Sequence, residues 1–399
     1  MNLLLNDQTD EPLHLDLCLD ELSPETGIIE LLKTLRPQWR AEDIQLKMFT
    51  EGITNQLLCC SVSSDTAMVL VRVYGRKTEL FLDRKKEVEM LKLLHSHGCG
   101  PRLYCSFHNG ICYEFLKGVA LEDVLLQQPS VYRTLAFFVP PCPPLQQRRS
   151  SMPSLSPGST TAVFFTDSQC RVAARLVAVE MGKIHSIKPK SSWSTEPVLW
   201  SKLDNYLKLL QDCENDDDVV QQDSQLDIPS VDVLISETEE LKKHLKRVES
   251  PTVLCHNDLL TKNIIYNSDE GGVKFIDYEY ADFNYQAYDI GNHFNEFAGV
   301  NNVDYGLYPS RELQWDWLTV YLQSIKINSQ VDSQVTQREV NTLYVQVCKF
   351  SLASHLSWGL WALLQARYST INFNFLKYAA ARFSYYFKKK EEYLGMALP

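Results

Sequence analysis

The chain has 399 residues, of which 39 are Lys or Arg and 50 are Asp or Glu, and its formal net charge is −11. This length can bury the core of one large or two medium domains, while the acidic balance argues against a nucleic acid partner. The short basic runs at 84–86 and 388–390 are interpreted as solvated faces. The 11 cysteines have no metal-ligand spacing, and we recognise neither a signal peptide nor a membrane-spanning run, so a cytoplasmic protein without integral membrane association is expected.

The first 118 residues predict an N-terminal extension followed by a small lobe. Residues 1–40 are interpreted as the extension, in which 1–26 are acidic and without a pattern and 27–35 predict a helix. Residues 41–118 predict a lobe of five antiparallel strands and one helix, because alternating segments surround a helical pattern from Glu79 to His95. The predicted strands are 44–49, 56–61, 68–74, 103–107 and 111–115, the last two joined by an Asn109-Gly110 turn.

Residues 119–391 predict a larger and mainly helical lobe. Two segments interrupt it. Residues around 134–175 are rich in Pro and Ser and cannot bury a core, and residues 212–228 form an acidic loop. Helical patterns occupy 177–185, 235–248, 311–327, 337–365 and 373–391.

The motif H-N-D-L-L-T-K-N at residues 256–263 has the H-x-D-x-x-x-x-N spacing of kinases. In this pattern the Asp, here Asp258, orients the acceptor hydroxyl and takes its proton, and the Asn, here Asn263, turns toward a metal ion. The apolar residues 273–276 predict a strand that carries Asp277 to the site as the main Mg²⁺ ligand. An Asp followed by an Asn also occurs in ordinary turns, but a turn does not predict the second carboxylate. The motif therefore predicts phosphoryl transfer from ATP.

Several segments resemble the choline/ethanolamine kinases, and the resemblance covers most of residues 40–390. The matching segments are E-G-I-T-N at 51–55, V-R-V-Y-G at 71–75, H-N-D at 256–258, I-D-Y-E-Y at 276–280 and D-I-G-N-H-F at 289–294. Residues 83–87, 109–110, 113–115 and 295–299 look more like ethanolamine kinases than choline kinases. The resemblance implies an α+β, protein-kinase-like bilobal fold, ATP and Mg²⁺ as cofactors, and phosphorylation of ethanolamine to phosphoethanolamine, the first step of phosphatidylethanolamine synthesis by the CDP-ethanolamine route.

The resemblance also implies a nucleotide loop after the first strand of the small lobe. Gly52, Thr54 and Asn55 are implied to cover the ATP phosphates with backbone amides and side chains. The same letters fit an ordinary hairpin turn, which stays open as an alternative.

Three charged residues complete the implied nucleotide and metal site. Arg72, on the third strand, is implied to contact the phosphates and to pair with Glu87, although an exposed ion pair would have the same spacing. Glu279 lies two residues beyond Asp277 and is expected to face the same side of one strand, where it could contact the second metal ion.

The implied acceptor pocket combines aromatic faces with an acidic group, which suits a small alkylammonium. The matching residues are Glu296, Tyr305, Trp358, Trp361, Phe373 and Tyr378. Aromatic residues three apart on a helix more often belong to a core, and Glu296 is what favours the pocket. Asp289 and His293 are expected to brace the catalytic loop, without a catalytic role for His293.

The family pattern becomes continuous when Arg133 is joined to Leu176, so residues 134–175 are predicted to be an insertion without a catalytic role. Three alternatives to an ethanolamine kinase stay open. A choline kinase has a similar cage, a weakened pseudokinase would fit the insertion, and an aminoglycoside-type phosphotransferase shares the catalytic spacing but favours an acidic trough. A homodimer is also left open.

Overall fold

The computed structural model describes residues 11–21, 23–49, 55–63, 65, 67–75, 78–121, 167–214, 226–369 and 371–399. Within them the chain forms a sheet-rich N-terminal lobe and a larger helical lobe. None of the helices in this described part has the length and apolar character needed to cross a bilayer.

The N-terminal lobe is built on a sheet that has six strands among the described residues. The strands are β1 (Leu13–Leu15), β2 (Ile44–Phe49), β3 (Asn55–Val62), β4 (Val69–Tyr74), β5 (Leu103–Phe107) and β6 (Gly110–Glu114). Their spatial order is β1-β5-β6-β4-β3-β2, and only β1 pairs in parallel, with β5. The prediction of five strands is wrong because a strand of three residues is too short to show alternation, and its partner lies about 90 residues away.

Two helices cover the two faces of this sheet. Helix α1 (Glu25–Leu35) buries Ile28 and Leu32 against one face, and α2 (Arg84–Ser96) buries Met90 and Leu94 against the other. Alternate strand residues supply the two cores, as the period of two requires: Val69, Val71 and Val73 face α1, while Leu70 faces α2. The described part of the predicted N-terminal extension therefore belongs to the small lobe, because it supplies an edge strand and a covering helix.

The hairpin between β5 and β6 differs from the prediction by one residue. His108 and Asn109 form the turn, whereas Gly110 begins β6 opposite Phe107. A Cβ atom on Gly110 would lie 2.2 Å from the backbone oxygen of Arg72. The glycine is therefore needed for the close approach of β6 to β4, where Arg72 lies.

The larger lobe contains seven helices among the described residues. They are α3 (Asp167–His185), α4 (Val198–Glu214), α5 (Val231–Leu245), α6 (Gln286–Asn295), α7 (Arg311–Asn328), α8 (Gln337–Tyr368) and α9 (Phe375–Leu394). The predicted helices at 311–327, 337–365 and 373–391 are confirmed. Helix α3 begins ten residues before its predicted start and buries Ala173 and Ala174, so the predicted disordered insertion does not reach residue 175. Residues 134–166 and 215–225 lie outside the described residues.

Two small sheets position the loops of interest. Strands β7 (Val119–Ala120), β9 (Ile264–Asn267) and β10 (Gly272–Phe275) form one, and β8 (Thr252–Cys255) pairs with β11 (Asp282–Tyr285) in the other. The chain crosses from β8 to β9 through residues 256–263 and from β10 to β11 through residues 276–281. Because both connections run between the same two sheets, they lie side by side.

Candidate active site

The two connections share an uncommon backbone conformation. Asn257 has φ 65° and Asp277 has φ 64°, and in the described chain Gln330 is the one other non-glycine residue with positive φ. Such conformations cost free energy and persist where the surrounding contacts impose them, which is common at functional sites. The left-handed conformation at Asp277 also ends the strand before this residue, so Asp277 follows β10 rather than lying on it.

The side chain of Asp289 holds the first connection in place. Its carboxylate accepts hydrogen bonds from the backbone N–H groups of His256, at 2.8 Å, and Asn257, at 2.7 Å. It also lies 3.0 Å from His185 Nε2, and both side chains are buried. The prediction that Asp289 braces the catalytic loop is confirmed, because its oxygens pair with the backbone beside Asp258.

His293 acts on the same loop. Its Nδ1 donates to the backbone oxygen of Leu259 at 3.0 Å, and burial lowers the pKa of His293 to about 4. The ring is therefore neutral at physiological pH and is engaged in holding the loop, as predicted.

Asp258 and Asn263 face each other across the first connection. The Asn263 side-chain amide donates to the backbone oxygen of Asp258 at 2.9 Å, so its remaining polar atom is an amide oxygen, the kind of ligand that Mg²⁺ prefers. Burial holds the pKa of the Asp258 carboxyl well above its usual range, and the negative charges of Asp277 and Glu296 act in the same direction. A raised pKa makes this carboxylate a better proton acceptor.

Arg72 connects the small lobe to the second connection. Its guanidinium lies 3.0 Å from Glu87 Oε1, 2.9 Å from Asp277 Oδ1 and 3.2 Å from the Tyr113 hydroxyl. The Arg72 side chain is 7% exposed and that of Glu87 is 1% exposed, so the alternative of an exposed surface pair is wrong. Burial raises the pKa of Asp277 to about 6, although Arg72 opposes this shift.

Glu279 does not occupy the position predicted for it. Residues Tyr278–Tyr280 form a short 3-10 turn rather than a strand, because the chain changes direction at Asp277. The Glu279 carboxylate instead accepts hydrogen bonds from Asn55 at 2.7 Å and from Arg84 at 3.0 Å. Asn55 therefore contacts the second connection. The other predicted phosphate-loop residues, Gly52 and Thr54, lie outside the described residues.

Arg84 and Lys86 were interpreted as part of a solvated face, and this interpretation is wrong. Arg84 donates to Glu87 at 3.0 Å as well as to Glu279, and Lys86 lies 2.6 Å from Asp282 at the end of the second connection. Asp83 caps the helix by accepting from the backbone N–H groups of its first turn, and the contacts of Arg84 and Lys86 place that turn against the large lobe.

We expect the Arg72→Lys variant to fold but to lose about tenfold to a hundredfold in kcat. A lysine keeps the charge, but its single ammonium cannot hold Glu87, Asp277 and Tyr113 in the geometry of a planar guanidinium. Steady-state kinetics and thermal unfolding would measure the two effects. The matched control is Arg338→Lys, an exposed position, for which no change in kcat is expected. An Arg72→Lys enzyme with wild-type kcat would contradict this role.

Glu296, the acidic group that favoured the acceptor pocket, is paired inside the protein. Its carboxylate accepts a hydrogen bond from Arg382 at 2.9 Å, and Arg382 also donates to the Ser354 hydroxyl at 3.0 Å. Both charged side chains are at most 4% exposed. Sequence reasoning missed Arg382, although a charged residue four positions after Tyr378 and seven after Phe375 lies on the apolar face of its helix.

Three aromatic residues form a continuous surface, here called the aromatic wall: Tyr280, Trp358 and Trp361. The ring centroid of Trp358 lies 5.4 Å from that of Tyr280 and 5.2 Å from that of Trp361. The indole N–H of Trp361 donates to the Tyr280 hydroxyl at 3.0 Å, and that of Trp358 donates to Asn292 at 2.7 Å. These hydrogen bonds fix the orientation of the indole rings. Tyr280 was absent from the predicted pocket.

The remaining predicted pocket residues divide into two groups. Phe373 lies 4.8 Å from Phe375 and 6.0 Å from Tyr378, and Phe375 in turn contacts Trp361, so these residues extend the aromatic wall. Tyr305 instead stacks on Tyr385 at 3.7 Å. The structure thus joins Phe373 and Tyr378 to the two tryptophans. Tyr305 stacks on Tyr385 and lies with its hydroxyl 3.4 Å from His355 Nδ1.

A mainly antiparallel sheet next to a helical lobe, with Asp258, Asn263 and Asp277 on adjacent connections, defines the class of bilobal, protein-kinase-like phosphotransferases. The family model described as choline/ethanolamine kinase matches residues 46–148 and 165–387. The chain belongs to the choline/ethanolamine kinase family, which confirms the resemblance and the α+β bilobal fold. The unmatched residues 149–164 lie within the predicted insertion, which stays a prediction.

Individual relatives agree with this assignment. Ethanolamine kinase 2 of Homo sapiens is 46% identical over 381 residues, which cover 95% of this chain and 84% of the relative. Ethanolamine kinase 1 of Homo sapiens is 44% identical, with coverage of 94% and 73%. Among solved structures, the ethanolamine kinase of Plasmodium vivax superimposes with a TM-score of 0.71 at 26% identity, covering 92% of this chain and 89% of that one.

Proposed function

We propose that this protein transfers the γ-phosphoryl group of ATP to the hydroxyl of ethanolamine, with Mg²⁺ as the metal ion, and so produces phosphoethanolamine. The observation that carries the proposal is the meeting of Asp258, Asn263 and Asp277 on two connections held between the same pair of small sheets. The ethanolamine kinases among the relatives support the acceptor.

In the proposed reaction Asp258 orients the ethanolamine hydroxyl and takes its proton. The hydroxyl oxygen forms a bond to the γ-phosphorus, and the bond between that phosphorus and the ADP oxygen breaks. The raised pKa of Asp258 suits proton acceptance, and the hydrogen bonds of Asp289 hold the loop in position. Arg72 orients the carboxylate of Asp277, and through it the site proposed for the ATP phosphates.

Residues on both connections fit a magnesium ion. Asp277 and Asn263 offer carboxylate and amide oxygens, which are hard ligands of the kind that Mg²⁺ prefers. Asp277 Oδ1 is paired with the Arg72 guanidinium at 2.9 Å, which orients the carboxylate. A bound Mg²⁺ would neutralise part of the negative charge of the phosphates. Glu279 accepts hydrogen bonds from Asn55 and Arg84, and we propose that it acts by holding these two side chains in position.

The acceptor is proposed to lie between Asp258 and the aromatic wall. Two carbon atoms separate the hydroxyl and the ammonium of ethanolamine, so the group that holds the ammonium must lie close to the base. Burial raises the pKa values of Tyr280 and Tyr378, and the charge of Asp258 makes a small further contribution to both, which supports their proximity. Because Arg382 compensates the charge of Glu296, the aromatic faces are proposed to supply most of the attraction for the ammonium.

Comparison of acceptors tests the proposal. Purified protein is incubated with ATP and Mg²⁺ together with ethanolamine, choline or no acceptor, and ADP release and the phosphorylated product are measured. We expect turnover that depends on ethanolamine, is abolished by EDTA and is restored by added Mg²⁺. Preference for choline would support a choline kinase, and absence of turnover with both acceptors would support a pseudokinase.

A further inference from the structure

Lys202 places an ammonium group against the aromatic wall. It lies in the first turns of α4, and its Nζ is 4.2 Å from the ring centroid of Tyr280. The same nitrogen is 5.9 Å from the ring centroids of Trp358 and Tyr206. These distances fall within the range in which a cation is attracted to an aromatic face. The position that suits the ammonium of a substrate is thus already approached by an ammonium of the protein.

The surroundings of Lys202 connect it to the reacting end of the site. Burial lowers the pKa of Lys202 to about 8, whereas the charges of Asp258 and Asp282 oppose this shift. Most of these side chains therefore carry a positive charge at pH 7. The residue as a whole is partly exposed, because its chain reaches inward from the helix surface. Its ammonium consequently lies near both the aromatic wall and the proposed base.

We propose that Lys202 is a specificity-determining residue of the acceptor site, which favours the compact ammonium of a primary amino alcohol and disfavours a trimethylammonium group. This inference rests on the proposed function. Lys202 takes up space over the face of Tyr280 and adds a positive charge there. An acceptor that needs this face has to displace the lysine side chain or bind beside a like charge.

The two acceptor types respond differently to such a neighbour. A primary ammonium is small and has three N–H donors, so it can bind against the faces of Trp358 and Trp361 while Lys202 covers Tyr280. A trimethylammonium group has no donor and a larger radius, so it depends on contact with aromatic faces. Specificity then arises from an unfavourable contact with the wrong acceptor rather than from an additional contact with the right one.

Substitution of Lys202 tests the inference. The Lys202→Ala variant removes both the volume and the charge, and Lys202→Met keeps most of the volume without the charge. We measure kcat/KM for ethanolamine, its monomethyl and dimethyl derivatives, and choline. The ratio of kcat/KM for choline to that for ethanolamine is expected to rise about tenfold in Lys202→Ala and by a smaller factor in Lys202→Met. Lys208→Ala, an exposed position on the same helix, is the matched control and should leave the ratio unchanged.

The outcomes separate this inference from the proposed function. An unchanged ratio in Lys202→Ala would overturn the inference, and so would an equal loss with both acceptors, which would indicate a general positioning role. If the wild-type protein turns over neither acceptor, the proposed function fails, and choline binding measured by tryptophan fluorescence then provides the test. About tenfold tighter binding to Lys202→Ala would still support exclusion by Lys202, whereas equal binding would refute it.

Discussion

The Asp258→Asn variant is expected to lose about 10³-fold in kcat while its fold is retained. The substitution preserves the shape of the side chain, and the hydrogen bond from Asn263 goes to the backbone oxygen of residue 258, which remains. What is lost is the group that accepts the hydroxyl proton, and general base catalysis contributes about 10² to 10⁴ in rate. The KM for ATP should change little, because the resemblance places the nucleotide contacts on the loop at 52–55 and on Arg72, not on Asp258.

Stability provides an independent readout for this variant. Asp258 lies among other negative charges, and burial raises its pKa, so removal of the carboxylate should leave the midpoint of thermal unfolding unchanged or slightly higher. Asp269→Asn, an exposed position in the turn between β9 and β10, is the matched control and should keep wild-type kcat. Retention of more than about a tenth of the activity in Asp258→Asn would refute the role of this residue as the base.

The Arg382→Met variant is expected to lose about 3 to 5 kcal/mol of folding free energy. Arg382 and Glu296 are 1% and 4% exposed, so loss of the guanidinium leaves a carboxylate that is buried without its partner. Urea unfolding monitored by tryptophan fluorescence measures the loss. Lys388 is exposed on the same helix, so Lys388→Met is the matched control. It is expected to change the free energy of unfolding by less than about 0.5 kcal/mol.

A second substitution isolates the pair. Combining Arg382→Met with Glu296→Gln removes both charges, so the double variant should be more stable than Arg382→Met alone, because no unpaired buried charge remains. Simple addition of the two single losses would show that the residues are not coupled. A recovery in stability without recovery of ethanolamine turnover would indicate that Glu296 also acts on the acceptor.

The ion pair between Glu296 and Arg382 affects how the acceptor end of the site attracts cations. An isolated buried acid would attract any cation, whereas the pair with Arg382 presents little net charge to the acceptor. With Lys202 close to Tyr280, two protein cations lie near the proposed acceptor position. Selection among ammonium compounds therefore depends on aromatic contact, size and hydrogen-bond donors more than on overall attraction.

Local patterns were sufficient for much of the fold and for the reacting groups. The spacing from Asp258 to Asn263 is a property of one loop, and Asp277 follows a strand that its own apolar residues predict. Strand β2 has the predicted bounds, and α7, α8 and α9 differ from their predicted bounds by one to three residues. These features depend on neighbours within a few positions, so periodicity and motif spacing contain the necessary information.

The sequence by itself determined the class of reaction and the two lobes, and it predicted roles for Asp258, Asn263 and Asp277. Only the tertiary structure revealed that β1 joins the sheet, that Glu279 follows a turn rather than a strand, and that Arg84 and Lys86 face the large lobe. It also located Lys202 and Arg382, which lie on helices where charged residues ordinarily face water. The physical reason is that an ion pair or a cation–aromatic contact depends on a partner far along the chain, and a local pattern identifies the helix face but not that partner.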